Sequence, residues 1–267
     1  MQGKVAIVTG ASTGIGLSIA QKWVARGGRV ALVARTAKTL EAAARAIGAS
    51  AVAFPLDVSD LAALEALPGR VVKELGRLDV VVNNAGKNHR GEIASFSPGQ
   101  LKDIITTNLT APIVLTRAAL PHLERGGSVI QVASIAGMVP VPHEATYCAS
   151  KAGLRAFARA VAYELEPRGI HVGCVCPGPV DTGFLGDLAS VPDIVLSQPM
   201  ITADDVADGV LRCIDERLEE LALPRRSGHL ATMAYLMPDF ARRIRPVLEK
   251  RGARNRKAIL AKRRSAS

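Results

Sequence analysis

At 267 residues, 48% of them hydrophobic, the chain is long enough to bury a full core and too apolar to be a disordered protein. Its formal net charge of +10 sits at one end, since residues 225–267 hold 13 Lys/Arg against 2 acids and residues 1–224 hold 21 against 22. Its four cysteines, Cys148, Cys174, Cys176 and Cys213, have neither zinc nor thioredoxin spacing, so no metal is expected. No apolar run approaches the roughly 18 residues of a membrane span, and a first strand at Lys4 leaves no room for a signal peptide, so a soluble cytoplasmic protein is expected.

In chain order, Lys4–Thr9 reads as a buried strand that runs straight into Gly10-Ala-Ser-Thr-Gly14-Ile-Gly16 and then a helical stretch, Leu17–Arg26. Strand, glycine turn and helix in that order make a nucleotide site, because glycines admit backbone close to a pyrophosphate and the helix start offers free N–H groups. A second strand, Arg29–Ala34, ends on Arg35, where an NAD site would place an acid on the ribose 2′-hydroxyl. A guanidinium there suits a 2′-phosphate, with Ser12 and Lys38 as helpers, so NADP(H) is favoured and NAD is the alternative. Strands at about 51–54 and 79–82 follow, the first ending near Asp57-Val58 and the second on Asn83-Asn84-Ala85-Gly86. Lys87, His89 and Arg90 come next, read as a solvated loop or as positive charge at a pocket mouth.

A helix is predicted from about Pro98 to Glu124. It holds Asn108, a poor helix former, four residues before Pro112, whose missing N–H leaves the carbonyl of residue 108 without its helical donor. After a fifth strand at 128–133 comes Ser134, and then Tyr147-Cys-Ala-Ser-Lys151 at the start of another helix. An i, i+4 pair shares a helix face, so the Lys151 ammonium is expected to lower the Tyr147 phenol from its usual value of roughly 10 and make it a working acid/base. Cys174 and Cys176 alternate on a sixth strand, 170–175, as two small buried residues on one face. Gly183–Met200 reads as a flap, whose Phe184, Leu185, Leu188, Val191, Ile194, Val195 and Leu196, with Met138, Val139 and Val141, imply an apolar pocket or equally the core of a short helix. A seventh strand lies at 220–223. The alternation of strand and helix predicts an α/β fold, a doubly wound, mostly parallel seven-stranded sheet of Rossmann type with helices on both faces and the ligand at the strands' carboxyl ends.

Gly10-x-x-x-Gly14-x-Gly16, Asn83-Asn84-Ala85-Gly86, Asn108, Ser134, Tyr147-x-x-x-Lys151 and Pro177-Gly178 stand in the order and spacing of the short-chain dehydrogenase/reductase family, which the chain resembles from about Lys4 to Pro224. The resemblance implies a catalytic set of Asn108, Ser134, Tyr147 and Lys151. In it Ser134 and Tyr147 hold the reacting oxygen, Lys151 also binds the nicotinamide ribose, and the Asn108 backbone holds a water. It further implies cofactor contacts from Gly10, Ser12, Thr13, Gly14, Ile15, Gly16, Arg35, Asp57, Val58, Asn84, Ala85, Gly86, Tyr147, Lys151, Pro177, Gly178, Val180 and Thr182, with Asp57-Val58 on the adenine ring. One departure is Thr13, where NADP-binding members often carry a basic residue.

The activity implied is an NADP(H)-dependent oxidoreductase acting between a carbonyl and a secondary alcohol on an apolar substrate. A 3-oxoacyl thioester reductase is the alternative, and a silent nucleotide-binding protein a remote one. Homodimers or homotetramers through helices matching 98–124 and 149–168 are implied as well. Residues 1–224 are expected to form the catalytic domain. Residues 225–267, basic and interleaved with apolar side chains, read as a lid or tail, or as a peripheral contact with an anionic surface. Truncation after Lys250 is expected to spare turnover of small ketones.

Overall fold

The computed structural model describes residues 1–266; Ser267 and the side chains of Lys262, Arg263, Arg264, Ser265 and Ala266 lie outside the described residues. All seven predicted strands form: β1 (Val5–Thr9), β2 (Arg29–Ala34), β3 (Ala51–Pro55), β4 (Val80–Asn83), β5 (Ser128–Val132), β6 (His171–Pro177) and β7 (Glu220–Leu223). They pair in the order β3-β2-β1-β4-β5-β6-β7, every pair parallel. The winding reverses between β1 and β4, and at such a switch point the loops leaving the two strands part and open a crevice.

The helices, in chain order, are α1 (Gly14–Ala25), α2 (Ala37–Ile47), α3 (Leu61–Glu65), α4 (Leu67–Leu75), α5 (Pro98–Ile105), α6 (Ala111–Ala119), α7 (Ala145–Leu165), α8 (Asp193–Leu196), α9 (Ala203–Asp215), α10 (Arg225–Leu236) and α11 (Pro238–Ala266). Because alternate strand residues face opposite sides, the sheet has two cores. Ala6, Val8, Val30 and Leu32 pack with Ile19 and Trp23 of α1, Leu40 of α2 and Val210 of α9. Val5, Ile7, Val81 and Val129 pack with Leu67 and Val71 of α4, Leu115 of α6 and Leu154 of α7. Cys174 and Cys176 belong to the second core, their sulfurs 3.8 Å apart and both free.

The predicted helix from Pro98 to Glu124 is present in pieces. Ser97 and Gln100 cap its start reciprocally, Gln100 N–H donating to Ser97 Oγ at 3.3 Å and Ser97 N–H to Gln100 Oε1 at 2.9 Å. Between α5 and α6 the chain widens into a π-helical turn, Thr106–Thr110, in which the Ala111 N–H reaches back five residues to the Thr106 carbonyl. Asn108 sits inside that turn. Pro112 has no N–H for the carbonyl four residues earlier, so one wide turn relieves the mismatch without breaking the rod. After α6 the rod tightens into a 3₁₀ turn at Leu120–His122 and ends short of Glu124.

Candidate active site

The turn between β1 and α1 is a backbone device. Gly10 (φ 66°) and Gly14 (φ 57°) occupy the left-handed region, and a Cβ on Gly16 would fall 2.3 Å from the Gly10 carbonyl oxygen. Thr13 caps α1 without a side-chain bond, which leaves the first-turn N–H groups directed along the helix axis into the crevice. Asn84 locks the turn to the loop after β4: its Nδ2 donates to the Thr9 carbonyl at 2.8 Å, and Thr9 Oγ1 accepts from the Asn84 and Ala85 N–H groups, each at 3.0 Å. Thr9 was not singled out in the sequence, where it reads as the last residue of an apolar strand. Asn83 turns inward to Thr116 Oγ1 at 3.3 Å.

A cavity of about 1580 Å³ runs from this turn across the ends of β4, β5 and β6. Gly10, Ser12, Thr13, Gly14, Ile15, Asn84, Ala85, Gly86, Ser134, Tyr147, Lys151, Pro177, Gly178, Val180 and Thr182 all line it. Five expected residues do not. Gly16 and Asn108 lie behind the wall, the Val58 side chain belongs to the core, and Arg35 and Asp57 follow β2 and β3, 3.9 Å apart and substantially exposed. Asp57 is held below the usual carboxylate range, first by the Ser59 N–H at 2.9 Å and then by its hydroxyl, with Arg35 contributing.

In mid-cavity, Ser134 follows β5, and Tyr147 and Lys151 face it from α7. A Cβ on Gly137 would lie 2.7 Å from the Lys151 carbonyl, so the chain after Ser134 reaches α7 only as glycine. Ser134 Oγ accepts from the Ala136 N–H at 3.1 Å and donates to the Pro177 carbonyl at 3.4 Å. Lys151 Nζ donates to the Val132 carbonyl at 2.8 Å and lies 5.9 Å from the Tyr147 ring centroid. Asn108 is fully buried, its Oδ1 accepting from the Lys87 N–H at 2.9 Å and its Nδ2 donating to the Lys87 carbonyl at 2.8 Å and Ser150 Oγ at 3.1 Å. Asn108 Oδ1 and Lys151 Nζ approach the same face of Gly86, at 3.3 and 3.5 Å from where its Cβ would be.

The electrostatics correct one expectation. Burial pushes the Tyr147 phenol above its ordinary value; the Ser134 hydroxyl opposes that, Glu144 adds to it, and Arg90 opposes it. The lowering expected from Lys151 is outweighed by that burial. Burial also brings Lys151 itself down to about 8, and its ammonium is drawn to the Val132 carbonyl rather than the phenol.

Beyond Tyr147 the cavity becomes mainly apolar. Met138, Val139, Val141, Phe184, Leu185, Ile194 and Val195 line it as expected, with Phe184 6.2 Å from the Tyr147 ring. Leu188, Val191 and Leu196 do not. With Leu185 they form a small core of their own, against which Ile259 of α11 packs. Arg90 is not a free cation at the mouth: its Nε pairs with Glu144 Oε1 at 2.6 Å and its Nη1 donates to the Leu185 carbonyl at 2.8 Å, while Lys87 pairs with Asp103 at 2.6 Å. An acid three residues before Tyr147 was the available signal for Glu144. Burial pushes the Cys148 thiol up, and its sulfur takes the Val141 N–H at 3.3 Å.

The basic extension closes the far end. Leu230, Ala234, Tyr235, Ile244 and Leu248 of α10 and α11 line the cavity, and Ser227 Oγ donates to Gln198 of the flap at 2.7 Å. Further along α11, Arg256 holds Asp193 at 2.9 Å and Asn255 Nδ2 donates to the Leu196 carbonyl at 2.8 Å. A Cβ on Gly252 would fall 1.7 Å from the Asp193 carbonyl oxygen. These clamps lie past Lys250, on the segment that a cut there removes.

A family model described as short chain dehydrogenase matches residues 4–191. Curated proteins similar to this chain include ketoacyl reductase HetN of Nostoc, 36% identical over 83% of this chain and 78% of its own, and the 3-oxoacyl-[acyl-carrier-protein] reductase FabG of Escherichia coli, 36% identical over 72% and 83%. Among solved structures, a short chain dehydrogenase from Burkholderia cenocepacia in complex with NADP superposes with a TM-score of 0.77 at 33% identity, covering 83% of this chain and 96% of that one. No helix among the described residues is long and apolar enough to cross a membrane.

Proposed function

This chain belongs to the short-chain dehydrogenase/reductase family, and we propose that it is an NADP(H)-dependent reductase of a ketone carried on an apolar molecule. The observation that carries this reading is the single cavity joining the glycine turn, the Ser134/Tyr147/Lys151 cluster and an apolar chamber. The residues present fit a dinucleotide: glycine backbone and free helix-start N–H groups suit a pyrophosphate, and Arg35 after β2 suits a 2′-phosphate. When bound, the nicotinamide supplies the hydride. Ser134 and Tyr147 hydrogen-bond the ketone oxygen and stabilise the charge it gains. Tyr147 then gives it a proton. At neutral pH the buried phenol is protonated and so available as the proton donor. Lys151, nearby and cationic, stabilises the phenolate that results. Asn108 positions the loop after β4 by gripping both polar groups of the Lys87 backbone.

A second reading, a 3-oxoacyl thioester reductase, is favoured by the names of the similar proteins. Residues 1–224 then form the catalytic unit and residues 225–267 its lid. Assembly into homodimers or homotetramers through α5, α6 and α7 is part of the proposal, and so is a cytoplasmic location, which suits the free cysteines. Nicotinamide absorbance with NADPH and NADH, against simple ketones, long-chain ketones and 3-oxoacyl thioesters, tests the function. Oxidation of NADPH by long-chain ketones supports the first reading and by thioesters alone the second; nucleotide binding without turnover of any of them defeats both.

A further inference from the structure

We propose that the corner between α10 and α11 docks on an anionic lipid surface and turns the adjoining wall of the cavity toward it. Among the described residues, seven of the ten exposed large hydrophobic side chains lie on these two helices or at Met237 between them. Five of them, Met233, Tyr235, Leu236, Met237 and Phe240, cluster where α10 stops at Leu236 and α11 starts at Pro238, with exposures of 51, 65, 73, 51 and 40%. A single exposed leucine is ordinary on any surface, but a cluster of this kind marks a contact.

Charge selects the occupant. Residues 225–267 hold 13 Lys/Arg against 2 acids, and those acids, Asp239 and Glu249, are taken by Arg242 and Arg245 at 2.7 Å each. Arg243, Lys250, Arg251 and Arg254 remain exposed and form no ion pair among the described residues. A second copy of the corner would bring like charge against like. An anionic bilayer instead neutralises the arginines while the apolar corner enters the boundary between headgroups and acyl chains. Tyr235, Pro238, Ala241 and Arg242 belong both to this corner and to the cavity wall, so an apolar substrate dissolved in lipid has a short path to Tyr147. That path rests on the reductase reading; the docking does not.

Co-sedimentation of the full chain with sucrose-loaded vesicles tests it, phosphatidylglycerol in phosphatidylcholine against phosphatidylcholine alone. The chain should sediment with the anionic vesicles and be released by added salt. The double variant Leu236→Ser/Met237→Ser and the triple variant Arg243→Glu/Arg251→Glu/Arg254→Glu should each weaken that binding by roughly tenfold or more. Both sets lie outside the cavity wall, so unfolding midpoint and vesicle-free turnover should stay as in the parent. The proposal is overturned by failure to bind anionic vesicles, by salt-independent binding to both lipids, or by wild-type binding of the double variant. It is equally overturned if the corner contacts only another copy, seen as dissociation of an oligomer by Leu236→Ser/Met237→Ser, or only an acidic carrier protein.

Discussion

At the nucleotide end of the cavity, glycine backbone packs on glycine backbone and a single asparagine ties the turn to β4; at the substrate end, a flap with its own small core is held from outside by side chains of α11, more than fifty residues away in sequence. The first end is rigid because no atom has room to move. The second is held by a few long-range contacts, so it can be loosened without disturbing the first. Substitutions at the two ends should therefore separate cofactor binding from substrate binding, with Tyr147 between them acting on the chemical step.

Tyr147→Phe carries the largest expected effect, a loss of turnover of roughly 10²- to 10⁴-fold, because the proton donor goes while ring and Lys151 stay. The NADPH dissociation constant, read by fluorescence titration, should hardly change. Turnover within tenfold of the parent would remove Tyr147 from the mechanism. Next comes Gly16→Ala, which forces a Cβ to 2.3 Å from the Gly10 oxygen. It should cost about 1–3 kcal/mol in denaturant unfolding and cripple nucleotide binding while any residual KM for ketone stays near normal.

Truncation after Lys250 is the converse experiment. With Gly252, Asn255 and Arg256 gone, the flap loses its outer support, so KM for a long-chain ketone should rise by about tenfold while NADPH affinity holds, since each lost buried polar contact is worth on the order of 1 kcal/mol. An unchanged KM would mean that the flap supports itself. Arg35→Asp, after β2, should shift preference toward NADH without altering kcat; unchanged discrimination between the two nucleotides would place the 2′-phosphate elsewhere.

The smallest effect is a pH slope. Lys151 is lowered by burial from 10.5 to about 8, so between those values the unfolded chain holds more protons than the folded one and stability contributed by this site rises with pH. Below about 8 both states are protonated and the cost of the buried ammonium is constant. Lys151→Met should flatten that part of the stability profile between pH 8 and 10.5, measured as the difference in denaturant midpoint from the parent. A difference that does not vary with pH would show that the buried ammonium is not destabilised.

The nucleotide end was legible in the sequence because its requirements fall on neighbouring residues: a strand, then glycines at fixed spacing, then a helix. Asn108 and Pro112 were legible for the same reason, four residues being the reach of one helical turn, and the π turn between α5 and α6 is its outcome. Strand positions followed from apolar runs, since a parallel sheet buried on both faces needs nothing else. Tertiary structure alone decided that Arg90 is spent on Glu144, that Leu188, Val191 and Leu196 form a core rather than a pocket wall, and that Lys151 turns to Val132 while burial raises the Tyr147 phenol. Each depends on which distant groups share one low-dielectric space, and residue spacing along the chain carries no record of that.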